Sequence, residues 1–204
     1  MTILLAGATG LVGSRVLALR HDIVPVGRRA TGVPGEVVAD FVALPALPPA
    51  LVAVSALGTT IRAVGSQAAF RAVDHAAVLA FARAAQAAGV RRFIVITAVG
   101  ADAASGVFYS RVKGEVERDL AALGFARLDI LQPGLNVGPR AERRPVEALF
   151  QALAPLLAPL LLGDLSKYGG ISADAVARAV AALCDRTEPG RHVHQNRAIA
   201  ALAT

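Results

Sequence analysis

Two groups of residues in this chain have types and spacings that could do chemistry. The first is a glycine triplet, Gly7, Gly10 and Gly13, in the stretch ILLAGATGLVG. Gly7 permits a tight turn out of a strand. Gly10 lets the backbone approach a pyrophosphate, and Gly13 lets a helix pack closely on that strand. Amides at the helix start, aided by the helix dipole, favour phosphate oxygens. The second group is Tyr109 and Lys113, in YSRVK. On a helix the i, i+4 spacing puts phenol and ammonium on one face. A neighbouring cation favours the phenolate form. Such a phenol can exchange a proton with a carbonyl or alcohol while a hydride moves.

A third signal lies between them. Dinucleotide folds that take NAD place an acidic residue after the second strand, where it holds the ribose 2′-hydroxyl. This chain has Gly27-Arg28-Arg29 there. Guanidinium forks suit a 2′-phosphate, so the expected cofactor is NADP, with NADPH preferred over NADH. The plain alternative is two solvated loop arginines. Asp40 and Phe41, at the end of the third strand, are candidates to frame the adenine; the alternative for Asp40 is a loop cap.

These residues need a scaffold that brings them together. Residues 3–6 form a continuous apolar run before Gly7, as a buried parallel strand does. Further strands are expected at 23–26 (with Pro25 a liability), 36–40, 50–56, 93–96 and 126–131, with a weak one near 192–194. Helices are expected at 10–19, at 66–88 stopping at Gly89, at 107–123, from 145 to 162, from Ser172 to Cys184, and from Asn196 onward. Alternating strands and helices predict one α/β domain over 1–204. Its doubly wound parallel sheet, a Rossmann fold, carries helices on both faces and a small C-terminal helical lobe. Segment 139–170 is expected to cover the cleft or form an interface, and the protein to be a monomer or homodimer. Ligands of such sheets bind beyond the carboxyl ends of the strands, at the switch point.

Composition narrows the classes. Hydrophobic residues make up 55% and charged residues 18%, which excludes disorder. With no Trp, two Tyr and seven Phe, the core is aliphatic and base-stacking on nucleic acid is not expected. The net charge of +6 favours anionic partners such as phosphates without naming one. Cys184 is expected to be a buried structural thiol. His75 beside Asp74 suggests a partly buried hydrogen-bonded pair. His192 and His194, two apart on a strand, lack the neighbours a metal site needs, so no metal is expected. No long apolar helix and no basic leader is evident, so the expectation is a cytoplasmic protein without a membrane partner.

The motifs GATGLVG, GRR, SALGTT and FYSRVKGEVE resemble atypical short-chain dehydrogenase/reductases. More narrowly they resemble the HIV Tat-interacting oxidoreductase-like group and its small bacterial relatives. The resemblance runs over residues 3–147, with weaker echoes at 168–181 and 195–202. It implies an NADP(H)-binding Rossmann domain, in which Gly7, Thr9, Gly10, Leu11, Val12 and Gly13 hold the pyrophosphate and Arg28 and Arg29 hold the 2′-phosphate. It further implies Leu57, Gly58 and Thr59 under the adenosine and ribose, and Pro133 and Gly134 beside the nicotinamide. Tyr109 would be the acid/base, and Lys113 would bind the nicotinamide ribose. After the fifth strand the family has paired hydroxyl residues, whose second member orients the substrate carbonyl. Here the pair is Thr97-Ala98. Strand alternation points Thr97 away from the substrate unless the strand end twists.

Two functions follow. One is an NADPH-dependent oxidoreductase for a small carbonyl, quinone or enone, impaired at Ala98. The other is a non-enzymatic NADP(H)-binding regulator that responds to redox state. Retention of Tyr109 and Lys113 favours the first, and Ala98 the second.

Overall fold

The computed structural model describes residues 2–134, 136–137 and 170–204. The expected helix at 145–162 and nearly all of segment 139–170 lie outside the described residues. In chain order the strands are β1 (Ile3–Ala6), β2 (Ile23–Gly27), β3 (Val37–Val38), β4 (Val52–Ser55), β5 (Arg92–Ile96), β6 (Arg127–Gln132), β7 (Asn136–Val137), β8 (Ile171–Ser172) and β9 (Gly190–Gln195). The helices are α1 (Gly13–Leu19), α2 (Ile61–Val64), α3 (Gln67–Arg71), α4 (Val78–Ala87), α5 (Phe108–Ala122), α6 (Ala173–Leu183) and α7 (Asn196–Leu202).

Seven strands form one sheet in the order β3-β2-β1-β4-β5-β6-β9, while β7 and β8 pair separately. Each neighbouring pair in the large sheet runs parallel. This is the doubly wound architecture expected. The order reverses between β1 and β4, which places the switch point there.

Each face of the sheet has its own aliphatic layer. Leu5, Val54, Ile94 and Leu131 pack under α1, α6 and α7 through Val16, Val176, Val180 and Ile199. Leu4, Ala53, Val95 and Ile130 pack under α4 and α5 through Phe81, Ala85, Val116 and Leu120. Strands covered on both sides need apolar residues at every position, which is why β1 reads as an unbroken run.

Several elements differ from the sequence expectation. Pro25 sits within β2, but β3 pairs only with Val26 and Gly27. At Pro25 that flank of β2 has no strand beside it, and a residue without an N–H is tolerated there. The helix expected over 66–88 is interrupted by a π-helical turn at Ala72–Ala77. The weak strand near 192–194 is a six-residue strand paired along its length with β6. Its polar composition reflects an edge position, where one side of the ladder and much of each side chain meet water.

Buried charge is concentrated on β6. Arg127 Nε and Nη2 donate to both oxygens of Asp129, at 2.6 and 2.8 Å, and His194 Nε2 lies 2.8 Å from Asp129 Oδ1. Burial pushes the Asp129 carboxyl up, but hydrogen bonds from His194 and Arg127 outweigh this and hold it below its ordinary value of 3.8. His192 stacks on His194 rather than sharing a ligand with it. Among the described residues no cluster of three or more His, Cys, Asp or Glu side chains could hold a metal. Cys184 is buried beneath α6, and that burial pushes its thiol up to about 12, as an inert structural thiol requires.

A carboxyl held low in the folded state contributes stability that is present above its unfolded value and lost as pH falls through its folded value. Urea stability is therefore expected to be level down to about pH 4 and to decline below it. Asp129→Asn is expected to lower stability at neutral pH and to flatten that acid limb. Denaturation curves at pH 7, 4 and 3 check both effects. An acid limb of equal steepness in the variant would assign it to other carboxylates.

Candidate functional site

The glycine loop closes the carboxyl end of β1 onto α1 and β4. Gly7 has φ +84°, and a Cβ there would lie 2.6 Å from the Ala56 carbonyl. A Cβ on Gly13 would lie 2.1 Å from the Gly7 carbonyl oxygen. No larger residue fits either place. The Gly10 amide donates to the Gly7 carbonyl at 2.9 Å and completes the turn.

A cleft opens at this end of the sheet. It is lined by Gly7, Thr9 and Gly10, by Arg28 and Arg29, by Phe41, and by Leu57, Gly58 and Thr59. Sequence reading therefore chose residues from four separate stretches that the fold gathers around one opening. Arg28 and Arg29 are exposed and have no ion-pair partner among the described residues. Phe41 is buried edge-on against Phe81. Asp40 does not line the cleft. Its carboxylate accepts from the Val42 amide at 3.1 Å, so it caps the turn that carries Phe41.

Leu11, Val12 and Gly13 continue the glycine loop into α1 but stand outside the cleft lining, as do Tyr109, Lys113, Thr97, Pro133 and Gly134. Tyr109, on the first turn of α5, is part exposed, with its ring 5.7 Å from Phe70. Lys113, one turn on, is buried, and its ammonium meets Asp74 Oδ1 at 2.7 Å. Asp74 is 1% exposed, and its other oxygen accepts from the Thr59 amide at 2.8 Å. Asp74 is the residue that sequence reading missed. Its place in the sequence suggests a pair with its neighbour His75, but adjacent helical residues point in different directions. His75 instead bonds Asp119 on α5 at 2.9 Å. The signal available was a carboxylate at an otherwise apolar position of a buried helix.

Thr97, the third candidate catalytic residue beside Tyr109 and Lys113, is buried and keeps its hydroxyl inside the protein. Its hydroxyl donates to Glu117 Oε1 at 2.6 Å and contacts the Leu131 carbonyl at 3.3 Å. Glu117 also accepts from Gln132 at 3.0 Å. Thr97 thus faces α5, on the side dictated by alternation along β5, and its proton is engaged. Ala98, on the opposite side of the chain, supplies no donor. Pro133 and Gly134 are fixed between two elements: the Pro133 carbonyl accepts from Val99, and the Gly134 amide donates to Asn196 Oδ1 at 2.8 Å.

The loop before α5 lies hard against that helix. A Cβ on Gly114 would lie 2.1 Å from the Ala103 amide nitrogen, and the Asp102 amide donates to the Ser110 carbonyl at 3.0 Å. The glycine of VKGEV is therefore what lets the loop pass beside Tyr109.

No family model matches the chain. A protein of Aspergillus niger named fmp52, mitochondrial, is 36% identical over 195 residues, spanning 86% of this chain and 83% of that protein. The chain belongs to the Fmp52 family. The Aspergillus fumigatus Fmp52 protein matches with the same identity and coverage, and that of Coccidioides immitis is 36% identical over 125 residues, 61% of this chain and 51% of that protein.

Among solved structures, MoeE5 in complex with UDP-glucose and NAD superposes with a TM-score of 0.67 at 18% identity, covering all of this chain and 81% of its own. The human epimerase family protein SDR39U1, solved with NADPH, gives 0.65 at 18%, covering 96% and 74%. At these identities the likeness is one of fold, and the fold is of the Rossmann type. These Fmp52 relatives are fungal and mitochondrial by name. That overturns the cytoplasmic expectation and gives the bacterial likeness no support. Compartment is read by receptors from address signals, which neither core composition nor motif spacing encodes. Among the described residues no helix is long and apolar enough to cross a membrane.

The buried pair has a measurable consequence for this Fmp52 chain. Lys113→Ala leaves Asp74 buried without a counter-charge, at an expected cost of about 3–5 kcal/mol. Lys113→Met combined with Asp74→Asn is expected to recover most of that loss. Urea denaturation of the parent, Lys113→Ala and the double variant checks this. An unchanged midpoint for Lys113→Ala would remove the pair from the stabilising contacts.

Proposed function

We propose that this chain is an NADP(H)-binding oxidoreductase of the short-chain dehydrogenase type, acting on a small carbonyl, quinone or enone. The observation that carries the reading is the cleft at the switch point, which joins the glycine turn, two exposed arginines without an ion-pair partner among the described residues, and the 57–59 loop. Two features support a dinucleotide: the glycine turn, whose backbone contacts at Gly7 and Gly13 leave no room for a side chain, and Arg28 and Arg29, which supply the charge a 2′-phosphate needs.

On this reading Gly7, Thr9, Gly10, Leu11, Val12 and Gly13 cradle the pyrophosphate, and Arg28 and Arg29 take the 2′-phosphate. Phe41 walls the adenine, with Asp40 fixing its turn. Leu57, Gly58 and Thr59 support the adenosine and ribose, and Pro133 and Gly134 border the nicotinamide, which when bound supplies or accepts hydride. Tyr109 delivers the proton from its phenol oxygen. Lys113, held by Asp74, presents positive charge beneath Tyr109 and the cofactor ribose. The motif likeness to the Tat-interacting oxidoreductase-like group supports the same assignment, as do neighbours solved with NAD and NADPH.

NADPH is expected to bind more tightly than NADH. Charge-assisted bonds contribute about 1.5–3 kcal/mol each, so Arg28→Ala is expected to weaken NADPH by about ten- to a hundredfold and leave NADH within about twofold. Calorimetry with both nucleotides checks this, and equal affinities in the parent would overturn the preference.

A second reading, a non-enzymatic NADP(H)-binding regulator, is favoured by one observation. Neither Thr97, bound to Glu117, nor Ala98 offers a hydroxyl to a substrate oxygen. Removing one such donor costs enzymes about a hundred- to a thousandfold in rate. The parent is therefore expected to be a slow carbonyl reductase, Ala98→Ser a faster one, and Tyr109→Phe inactive. Thr97→Ala is expected to lower stability more than turnover. NADPH oxidation across a carbonyl, quinone and enone panel separates the readings. If neither the parent nor Ala98→Ser turns over any of them while NADPH still binds, the regulator reading stands.

A further inference from the structure

We infer that Glu36 is a positioning residue for recognition of the 2′-phosphate: its carboxylate closes residues 31–36 into one rigid loop that holds Arg28 and Arg29 against the cleft. The inference rests on the NADP(H) reading above and deepens it.

Glu36 lines the same cleft as Arg28, Arg29 and Thr31. A free carboxylate there would repel a phosphate, or would accept a ribose 2′-hydroxyl as the acidic residue of an NAD site does. Its oxygens are otherwise engaged. Oε2 accepts from the Thr31 amide at 2.5 Å and the Thr31 hydroxyl at 2.7 Å, and Oε1 accepts from the Gly32 amide at 3.2 Å. These bonds, the Thr31 amide first, hold the carboxyl below its ordinary range, so it remains an acceptor at neutral pH.

The rest of the loop closes around this contact. The Glu36 amide donates to the Val33 carbonyl at 3.2 Å, and the Val33 amide to the Thr31 hydroxyl at 3.4 Å. Gly32 and Gly35 take φ of +82° and +80°, the left-handed turns that let so short a loop reverse. The Ala39 amide then donates to the Gly27 carbonyl at 2.9 Å, tying the loop's exit to the point where Arg28 leaves β2. Arg28 and Arg29 have long, exposed side chains with no ion-pair partner among the described residues. Two such side chains lose rotamer freedom when they grip one phosphate, and a fixed backbone beneath them lowers that cost. Glu36 fixes that backbone just downstream of them, at Thr31 and Gly32.

The test uses two probes that isolate this end of the cleft, adenosine 2′,5′-bisphosphate and adenosine 5′-monophosphate, titrated by calorimetry into the parent, Glu36→Ala and Glu36→Gln. The parent is expected to prefer the bisphosphate. Glu36→Ala is expected to bind the bisphosphate on the order of tenfold more weakly and the monophosphate within about twofold of the parent. Glu36→Gln, which keeps one oxygen for Thr31, is expected to fall between. Thermal midpoints of the three proteins show that each is folded. A parent indifferent to the 2′-phosphate overturns the NADP(H) reading and the inference with it. A parent that discriminates, beside a Glu36→Ala variant that loses both probes equally, overturns this inference alone. So does a Glu36→Gln variant that binds the bisphosphate more tightly, because the carboxylate would then oppose the phosphate rather than position its ligands.

Discussion

Two charges that leave water together must meet, and here they are Asp74 and Lys113. Neither could be buried alone without a penalty of several kcal/mol. Their contact fixes more than itself. Asp74 sits in the π-helical turn between α3 and α4, where one extra residue per turn changes the direction side chains take. From there it reaches Lys113 on α5 with one oxygen and the Thr59 amide with the other. The loop after β4, the long helix and α5 are joined at one carboxylate. Tyr109, one turn before Lys113, takes its place from the same anchor and from Phe70 behind its ring.

Helix α5 repeats this logic along its length. Tyr109, Lys113 and Glu117 follow one another at intervals of four, so they lie along neighbouring parts of one face. Tyr109 reaches solvent, Lys113 meets Asp74, and Glu117 closes a buried group with Thr97 and Gln132 at the ends of β5 and β6. Buried polar groups must be satisfied, so Glu117 takes the Thr97 proton. The next position is Ala98, so neither residue at this strand end leaves a hydroxyl unengaged. Packing of α5 on the sheet and the chemistry open to the site are thus linked through one threonine.

Two parts of the cleft are fixed by different means. At the glycine turn, backbone approaches backbone so closely at Gly7 and Gly13 that a single added carbon has no room. The loop bearing Arg28 and Arg29 is closed by its own hydrogen bonds. Outside the cleft lining, Pro133 and Gly134 are held by Val99 and Asn196, and Tyr109 projects from the start of α5.

Much of the fold was legible because local pattern and global packing agree. The apolar run of β1, the glycine spacing after it and the alternation of strands with helices each follow from burial of a parallel sheet on both faces. The sequence alone also determined that Arg28 and Arg29, and no acid, follow the second strand, and that Tyr109 and Lys113 share a helix face. What it did not determine was which buried charge answers which. Asp74 and Lys113 are far apart in the chain, and His75 offered a nearer partner for Asp74. Only the packing of the π-helical turn against α5 decided the pairing, because partners of buried charges are chosen by distance in space, not along the chain. The same holds for Thr97, whose proton was assigned by a glutamate twenty residues on. The polar edge strand β9 became a strand only through its ladder with β6. Residue types and spacings set what chemistry was available; the packing of helices on the sheet decided which side chains were left to perform it.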